Sequence, residues 1–394
     1  MARVRVLTAG ESHGPELLVI LEGMPAGLPL EEGDINRHLL RRQVGCGSGR
    51  RMDIEEDRAS LVSGVLEGRT IGSPIGMRIT NKNHRQWRGE AVPSFTRPRP
   101  GHADLTGTLK YGYQDLRPAS ERASARETAA RTAAGAVCLH FLRQFEIRAG
   151  GWVTAIGPVQ APRYHSSPET FTEHIARTEK SDVRCPDPET SRKMKHRIRQ
   201  AKADGETLGG VVEVAVLGVP PGLGSYVQWD RRLDARLGMA VLGVQAVKGV
   251  EIGYGFENAG KQGTEVQDPI RIEGGRLVRP TNRAGGLEGG VTNGNPLLVR
   301  AAMKPIASTL IPQPTVDLVD GREAQTEYER GDVCPVPRAV PIMEAVVSRV
   351  IADALLEKLG GDSMAEMRKR YAELPRSRLS DLTMDDRNHT WWPT

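Results

Sequence analysis

LLVILEGMPAGL, Leu17 to Leu28, is an apolar run that stops at a Gly/Pro turn, and the chain uses that pattern twice. Val211 to Leu223 reads VVEVAVLGVPPGL, again a strand-like run followed by GxPxGL. Val/Ile/Leu-rich runs bounded by Gly and Pro read as strands, and the alternation in VVEVAVL predicts a half-buried one. A helix follows each turn: Asp34 is placed to cap one that runs through Leu40, and a second covers Arg232 to Leu242. A further pair supports the repeat. TIGSPIGMR (Thr70 to Arg78) and TNGNPLLVR (Thr292 to Arg300) share Thr, Gly, Pro and Arg at the same spacing, and both pairs occur in the same order. The reading is an internal duplication with halves near 1–145 and 206–310. Its period is too long for a solenoid repeat, so two similar layers packed about a pseudo-twofold axis are expected. The chain reads as mixed strands and helices, and by length alone 394 residues suggest two or three domains.

Three helices stand out. Glu121 to Phe145 is rich in small residues, with Ala125, Ala129 and Ala133 forming a smooth ridge that lets another backbone approach. Thr190 to Ala203 is strongly basic and reads as a solvated surface helix. Ile342 to Leu359 is amphipathic and ends at Gly360-Gly361, a C-terminal stop signal. Residues 363–394 form a polar tail, loosely ordered or docked through Trp391 and Trp392.

The 394 residues include 43 arginines but 11 lysines, for a net charge of +5. Arginine is the bidentate ligand for carboxylate and phosphate, so small anionic partners are indicated. Aromatic residues make up 4% of the chain, too few for the stacking platforms of single-stranded nucleic-acid binders. No apolar run reaches membrane-spanning length, and MARVRVLTAGESHG lacks the apolar core of a secretory signal. Cys46, Cys138, Cys185 and Cys334 stand far apart, with no CxxC, so neither zinc nor a disulfide framework is expected. A cytoplasmic protein without metal, membrane or nucleic-acid partner is the expectation.

The chemistry gathers in loops of Gly, His, Ser and Arg. RPRPGHAD (Arg97 to Asp104) sets His102 on a Pro/Gly turn, and RASARET (Arg122 to Thr128) opens a helix whose free N–H groups favour anions. GESHG (Gly10 to Gly14) exposes Ser12 and His13, and RRQVGCGSGRRM (Arg41 to Met52) brackets glycines with arginine pairs. GFENAGK (Gly255 to Lys261) imitates a phosphate loop, but Gln262 stands where a magnesium-binding Ser or Thr belongs.

Taken in order, these motifs resemble the chorismate synthase family over roughly residues 1–362: GESHG, RRQ–G–G–GRRM, RPRPGHADL, ERASARET, AVKGVEIG (Ala246 to Gly253), GGVTNG (Gly289 to Gly294), MKP and the Arg330-x-Asp332-x-Cys334 segment. The resemblance implies a lyase that converts 5-enolpyruvylshikimate 3-phosphate into chorismate and phosphate by trans 1,4-elimination. It implies reduced FMN with no net redox change, NADPH entering only through flavin reduction, and homotetramers of one large α+β catalytic domain, residues 1–362, a β-α-β sandwich with sheets inside and helices outside. His13 would protonate the departing phosphate, His102 the reduced flavin near N1, and Asp332 would act near flavin N5 on removal of the C6 proton. Ser12, Arg42, Ser48, Arg51, Arg99 and Arg126 would hold substrate. Arg122, Ala123, Ser124, Gln245, Ala246, Gly289, Lys304, Pro305, Ile306, Ala307, Ser308 and Arg330 would hold the flavin, with Lys304 on its phosphate.

One departure stands inside this pattern. Where the family reads GYGRG this chain reads GCGSG, so Cys46 replaces an aromatic residue and Ser48 an arginine linked to substrate and NADP binding. With no dedicated NADPH domain in sight, a separate flavin reductase is the expected source of reduced cofactor. Two other readings stay open from residues alone: an arginine-rich nucleic-acid-binding protein, whose candidate element is the Arg192 to Lys202 helix, and a flavin enzyme with net redox chemistry.

Overall fold

Two antiparallel sheets sandwich a double layer of helices in the computed structural model, which describes residues 3–49, 54–164, 167–329 and 331–392. The first sheet orders its strands Arg5–Ala9, Glu16–Glu22, Ile75–Thr80, Ala59–Ser63. The second orders Arg148–Ile156, Gly210–Leu217, Leu297–Met303, Val247–Ile252, with Val159–Gln160 added at the Arg148 edge. In chain order each four-strand set reads first, second, fourth, third. Each also carries a helix after its second strand (Glu32–Gln43; Leu233–Leu242) and a long one after its fourth (Thr128–Arg143; Val336–Leu359).

The duplication therefore holds, but its halves run from 5 to 143 and from 148 to 359. The second half starts earlier than the repeated turns indicate because two helices, Pro168–Lys180 and Pro188–Ala203, separate its first strand from its second. The matching turns are locked by the same hydrogen bonds. Thr70 Oγ1 donates to Pro25 O (2.5 Å) and accepts from Leu28 N (3.0 Å), while Gly27 N donates to Thr70 O (2.8 Å). Thr292 Oγ1 donates to Pro220 O (2.7 Å) and accepts from Leu223 N (2.8 Å), while Gly222 N donates to Thr292 O (2.8 Å). Gly27 and Gly222 sit at φ 85° and 87°, a left-handed conformation that side chains resist.

The layer order is sheet–helices–sheet, the reverse of sheets inside and helices outside. Val336–Leu359 packs on Thr128–Arg143 and on strands of the second sheet, while Thr128–Arg143 packs on the first. Both helices are apolar around nearly their whole circumference, and such helices must sit in a core. The small-residue ridge works as expected: Ala129 and Ala133 are buried, and a Cβ built on Gly135 would lie 2.3 Å from Ala345 Cβ. The expected helix from Glu121 to Phe145 is instead broken. Arg117–Ala123 ends at Ser124, whose extended backbone (ψ 141°) and Oγ, accepting from Arg126 N, start a new turn. Asp34 is not the cap of its helix but the third residue, returning a bond to Glu31 N.

Burial of the strands also differs from the alternation read in VVEVAVL. The first sheet is half-buried, with Leu17, Val19 and Leu21 inside and Leu7, Leu18 and Ile20 on the open face. The second is covered on both faces, because Phe171 and Ile175 of Pro168–Lys180 close its outer side. The C-terminal segment forms a helix, Met364–Ala372, that docks through Met364, Met367 and the Tyr371 OH bond to Phe145 O (2.8 Å), while Trp391 and Trp392 stay exposed.

That covering buries Glu213, which shares Arg300 with Glu251 across the sheet. Burial pushes the Glu213 carboxyl up to about 7, more than Arg300 and Arg163 can offset. The folded state therefore holds a proton there that the unfolded chain has lost, so this group's contribution to stability declines as pH rises through about 7. Glu213→Gln should raise the melting temperature relative to wild type at pH ~8, with the gap closing by pH ~5, in thermal denaturation followed by circular dichroism.

Candidate functional site

The short helix Arg117–Ala123 serves two histidines from consecutive residues. Glu121 takes His13: its carboxylate meets His13 Nδ1 at 2.6 Å and His13 N at 2.7 Å. The His13 ring stacks on Trp87 at 4.2 Å between centroids, and His13 O meets His84 Nδ1 at 2.9 Å. Ser120 takes the other side through Arg99, whose Nη2 donates to Ser120 Oγ at 2.7 Å. Arg99 also clamps Asp104 with Nε (2.8 Å) and Nη2 (2.9 Å), and Asp104 Oδ1 lies 2.6 Å from His102 Nδ1. Burial alone would raise the Asp104 carboxyl, but hydrogen bonds from Arg99 and His102 hold it well below the usual carboxylate range. An ionised carboxylate only accepts, so each imidazole carries its Nδ1 proton toward its acid. Both histidine side chains keep partial access to solvent, at 24% and 22%.

Beneath this pair lies a buried charge cluster. Asp57, wholly enclosed, accepts from Arg42 Nη1 (2.9 Å) and from Arg126 Nη1. Burial acts to raise the Asp57 carboxyl, and the two guanidiniums overcome it and hold it low. Arg42 further donates to Thr128 Oγ1, and Arg126 Nε donates to Asn81 Oδ1 (2.9 Å). Asn81 Nδ2 then reaches Gly14 O at 2.8 Å and Glu11 O at 3.2 Å, which shapes the GESHG turn. Ser12 is buried there and receives Ser124 Oγ at 3.1 Å. Arg42 and Arg126, expected to hold substrate, both donate to Asp57.

The second half adds its loops alongside. Asp332 accepts from Gly49 N (2.8 Å) and Arg338 Nη1 (2.6 Å), joining the 331–334 segment to the glycine-rich turn. Ser48 Oγ is turned back onto Gly45 O (2.7 Å). Lys304 Nζ donates to Gly101 O (2.6 Å) beside His102, and Lys304 N donates to Ala246 O (2.9 Å). Gln245 Nε2 bonds Glu127 (3.2 Å), and Ala246 takes φ 66°, a strained position for a residue with a side chain. Arg122 donates to Gly10 O and Thr8 O, Ile306 O accepts from Thr207, and Ser308 Oγ lies 3.5 Å from Arg99 Nη1. Ala123, Pro305 and Ala307 lie on the same segments.

Gly289 is not brought to this group. It sits in the Leu287–Thr292 hairpin, whose Gly290 O accepts from Leu233 N at the start of Leu233–Leu242, while Gln245 follows the other end of that helix. Roughly 15 Å of helix separates them. Arg51 and Arg330 lie outside the described residues. A cavity of about 320 Å³ lies between Val6, Thr8, Glu127, Arg131, Met239 and Arg349, sharing Thr8 and Glu127 with the Arg122–Gln245 cluster rather than opening at the histidines.

Motif reading missed the acids. Asp104 and Glu121 stand inside the quoted motifs, at HxD spacing and directly before RASARET, yet carry no obvious role until the fold sets them on the histidines. Asp57 and Asn81 have no motif signal. Among the described residues no His, Cys, Asp and Glu cluster is arranged to hold a metal, and no helix is long and apolar enough to cross a membrane. The phosphate-loop look-alike is closed by a Lys261–Glu257 ion pair (2.5 Å). Asp57→Asn should leave two buried guanidiniums without their acid and destabilise the fold by about 3–5 kcal/mol in urea unfolding. A loss below about 1 kcal/mol would instead mean that the cluster is solvated.

Known proteins repeat this arrangement over nearly the whole chain. A family model described as chorismate synthase matches residues 4–356. The chorismate synthase of Chlorobaculum tepidum is 51% identical over 382 residues, covering 93% of this chain and 96% of its own. That of Aquifex aeolicus is 50% identical over 385 residues, covering 94% and 97%. A solved structure described as a crystal structure of chorismate synthase superposes with a TM-score of 0.78 at 44% identity, covering 94% of this chain and 96% of that one. The shared length and the shared fold agree: the chain belongs to the chorismate synthase family.

Proposed function

We propose that this enzyme converts 5-enolpyruvylshikimate 3-phosphate into chorismate and inorganic phosphate by trans 1,4-elimination with reduced FMN. The C3–O bond to phosphate breaks, the C6 proton leaves and a new double bond forms, so electrons balance without net redox. The observation that carries the reading is the pair of histidines, each oriented by its own carboxylate and both served by one short helix.

The residues present suit a flavin mononucleotide. Arg122 and Lys304 donate only to neutral oxygens in the bonds described above, so their charges remain for a phosphate. Among the described residues Gln245 Oε1 is buried without a hydrogen-bond partner and can accept from a ring N–H. Arg122 to Ser124, Gln245-Ala246 and Lys304 to Ser308 would hold the cofactor. A bound reduced flavin supplies a transient electron to the substrate.

The chain's own groups supply the rest. His13, braced between Glu121 and Trp87, delivers a proton to the departing phosphate. His102, fixed by Asp104, would hold a proton for the bound flavin, and Asp332, positioned by Arg338 and Gly49 N, would assist loss of the C6 proton. Arg99 sits at the junction of Asp104, Ser120 and His102, so it presents substrate anions with an oriented guanidinium. NADPH would enter only through a separate flavin reductase, as Ser48 bonds its own loop rather than offering a cation. A cytoplasmic homotetramer completes the reading, supported by the apolar open face at Leu7, Leu18 and Ile20.

Anaerobic mixing of the protein with photoreduced FMN and 5-enolpyruvylshikimate 3-phosphate should yield chorismate absorbance without stoichiometric NADPH consumption; no product overturns the proposal. His102→Ala should lower turnover by roughly 10²–10⁴-fold while FMN affinity changes little. Equal losses in both would make His102 a positioning residue.

A further inference from the structure

The basic helix Pro188–Ala203 has no part in the mechanism above, yet it runs toward the site. Thr190, Ser191, Met194, Ile198 and Ala201 are its buried side. Arg192, Lys195, Arg199 and Lys202 recur at three- and four-residue steps, which places them in one row on its flank. Among the described residues, Lys195 pairs with Asp182 (2.5 Å), and Arg192, Arg199 and Lys202 have no carboxylate within ion-pair distance. The row spans roughly 15 Å.

Two contacts tie this flank to the glycine-rich turn. Asp182 O accepts from Cys46 N at 2.8 Å, so the acid that holds Lys195 also anchors the GCGSG loop. Lys195, Arg199 and Lys202 all act on the half-buried Cys46 thiol; burial and Asp182 raise its pKa, and these three cations pull it back. The far end of the helix leads into the site as well. Gly205 O accepts from Leu310 N, Thr207 Oγ1 donates to Ile306 O, and Leu208 N donates to Val333 O. The chain leaving the helix therefore joins the 304–310 and 331–334 segments, and Val333 N in turn donates to Gly47 O of the loop in which Ser48 carries no charge.

We infer that Arg192, Lys195, Arg199 and Lys202 form a capture stripe for a small multiply charged anion bearing phosphate and carboxylate, holding it loosely and handing it to the Cys46–Gly49 loop. The stripe adds, from a helix, positive charge beside the position that Ser48 leaves uncharged. Clefts lined by one sign of charge raise local ligand concentration and association rate, and salt screens that effect within about 10 Å at 0.1 M. Identifying the captured anion as the substrate rests on the functional reading above.

The test uses the triple variant Lys195→Gln/Arg199→Gln/Lys202→Gln in the full chain, with two separate readouts. The first is alkylation of Cys46, the one cysteine that is not buried, by anionic iodoacetate and by neutral iodoacetamide. Wild type should favour iodoacetate several-fold more at ~0.01 M than at ~1 M salt, and the variant should lose that salt dependence. The second is steady-state kinetics, where kcat/KM should drop roughly tenfold at low salt with kcat within about twofold. A charge-preserving variant, Lys195→Arg/Arg199→Lys/Lys202→Arg, should restore both. An unchanged alkylation ratio, an unchanged kcat/KM in an active enzyme, or failure of the charge-preserving variant to restore them would overturn the stripe. A wild type that makes no chorismate sinks the functional reading, and the alkylation ratio then decides the stripe by itself.

Discussion

Asp57, enclosed between Arg42 and Arg126, is the interaction on which the rest of the site depends. A carboxylate without solvent persists only where opposite charges and hydrogen bonds replace its water. Those partners come from different places: Arg42 from the Glu32–Gln43 helix and Arg126 from the turn after Ser124. Through Arg126 the cluster reaches Asn81 and so the GESHG turn. Through Arg42 O, which accepts from Arg338 Nε (3.0 Å), it reaches the arginine that holds Asp332. One enclosed acid thus connects the loops carrying His13 and Asp332, which lie near opposite ends of the chain.

The duplicated frame is used asymmetrically. Both halves keep the same strand order and the same threonine lock, yet both histidines belong to the first half. The second half contributes Lys304, Gln245 and Asp332 from its edges, and its inserted helices cover a sheet face that the first half leaves open. Symmetry supplies a rigid double-layered core, and the chemistry sits in loops that the symmetry does not relate. That division is common where a scaffold must be stiff and a site varied.

Much of this was legible in the chain, for physical reasons. Glycines at φ above 60° and the prolines beside them are dictated locally, so GMPAGL and GVPPGL reveal the repeat without tertiary information. Motif histidines were likewise visible. The partners of buried arginines were not. Arg42 and Arg126 look like ligands for an anion, and only the fold reveals that both also hold Asp57. Strand burial failed similarly: VVEVAVL alternates as a one-sided strand does, but covering by Phe171 and Ile175 is decided far away in sequence. The break at Ser124 was hidden because its neighbours are good helix formers.

The helix Arg117–Ala123 has a mechanical side. Neighbouring residues on an α-helix point about 100° apart, so Ser120 and Glu121 address the two histidine assemblies from different faces of one short rod. Any roll or slide of that rod displaces both histidines together. Adjusting one histidine without the other has to come from its private contacts, Trp87 for His13 and Asp104 for His102. The two histidines are geared to a common shaft, and their placement is a property of the helix as much as of either imidazole.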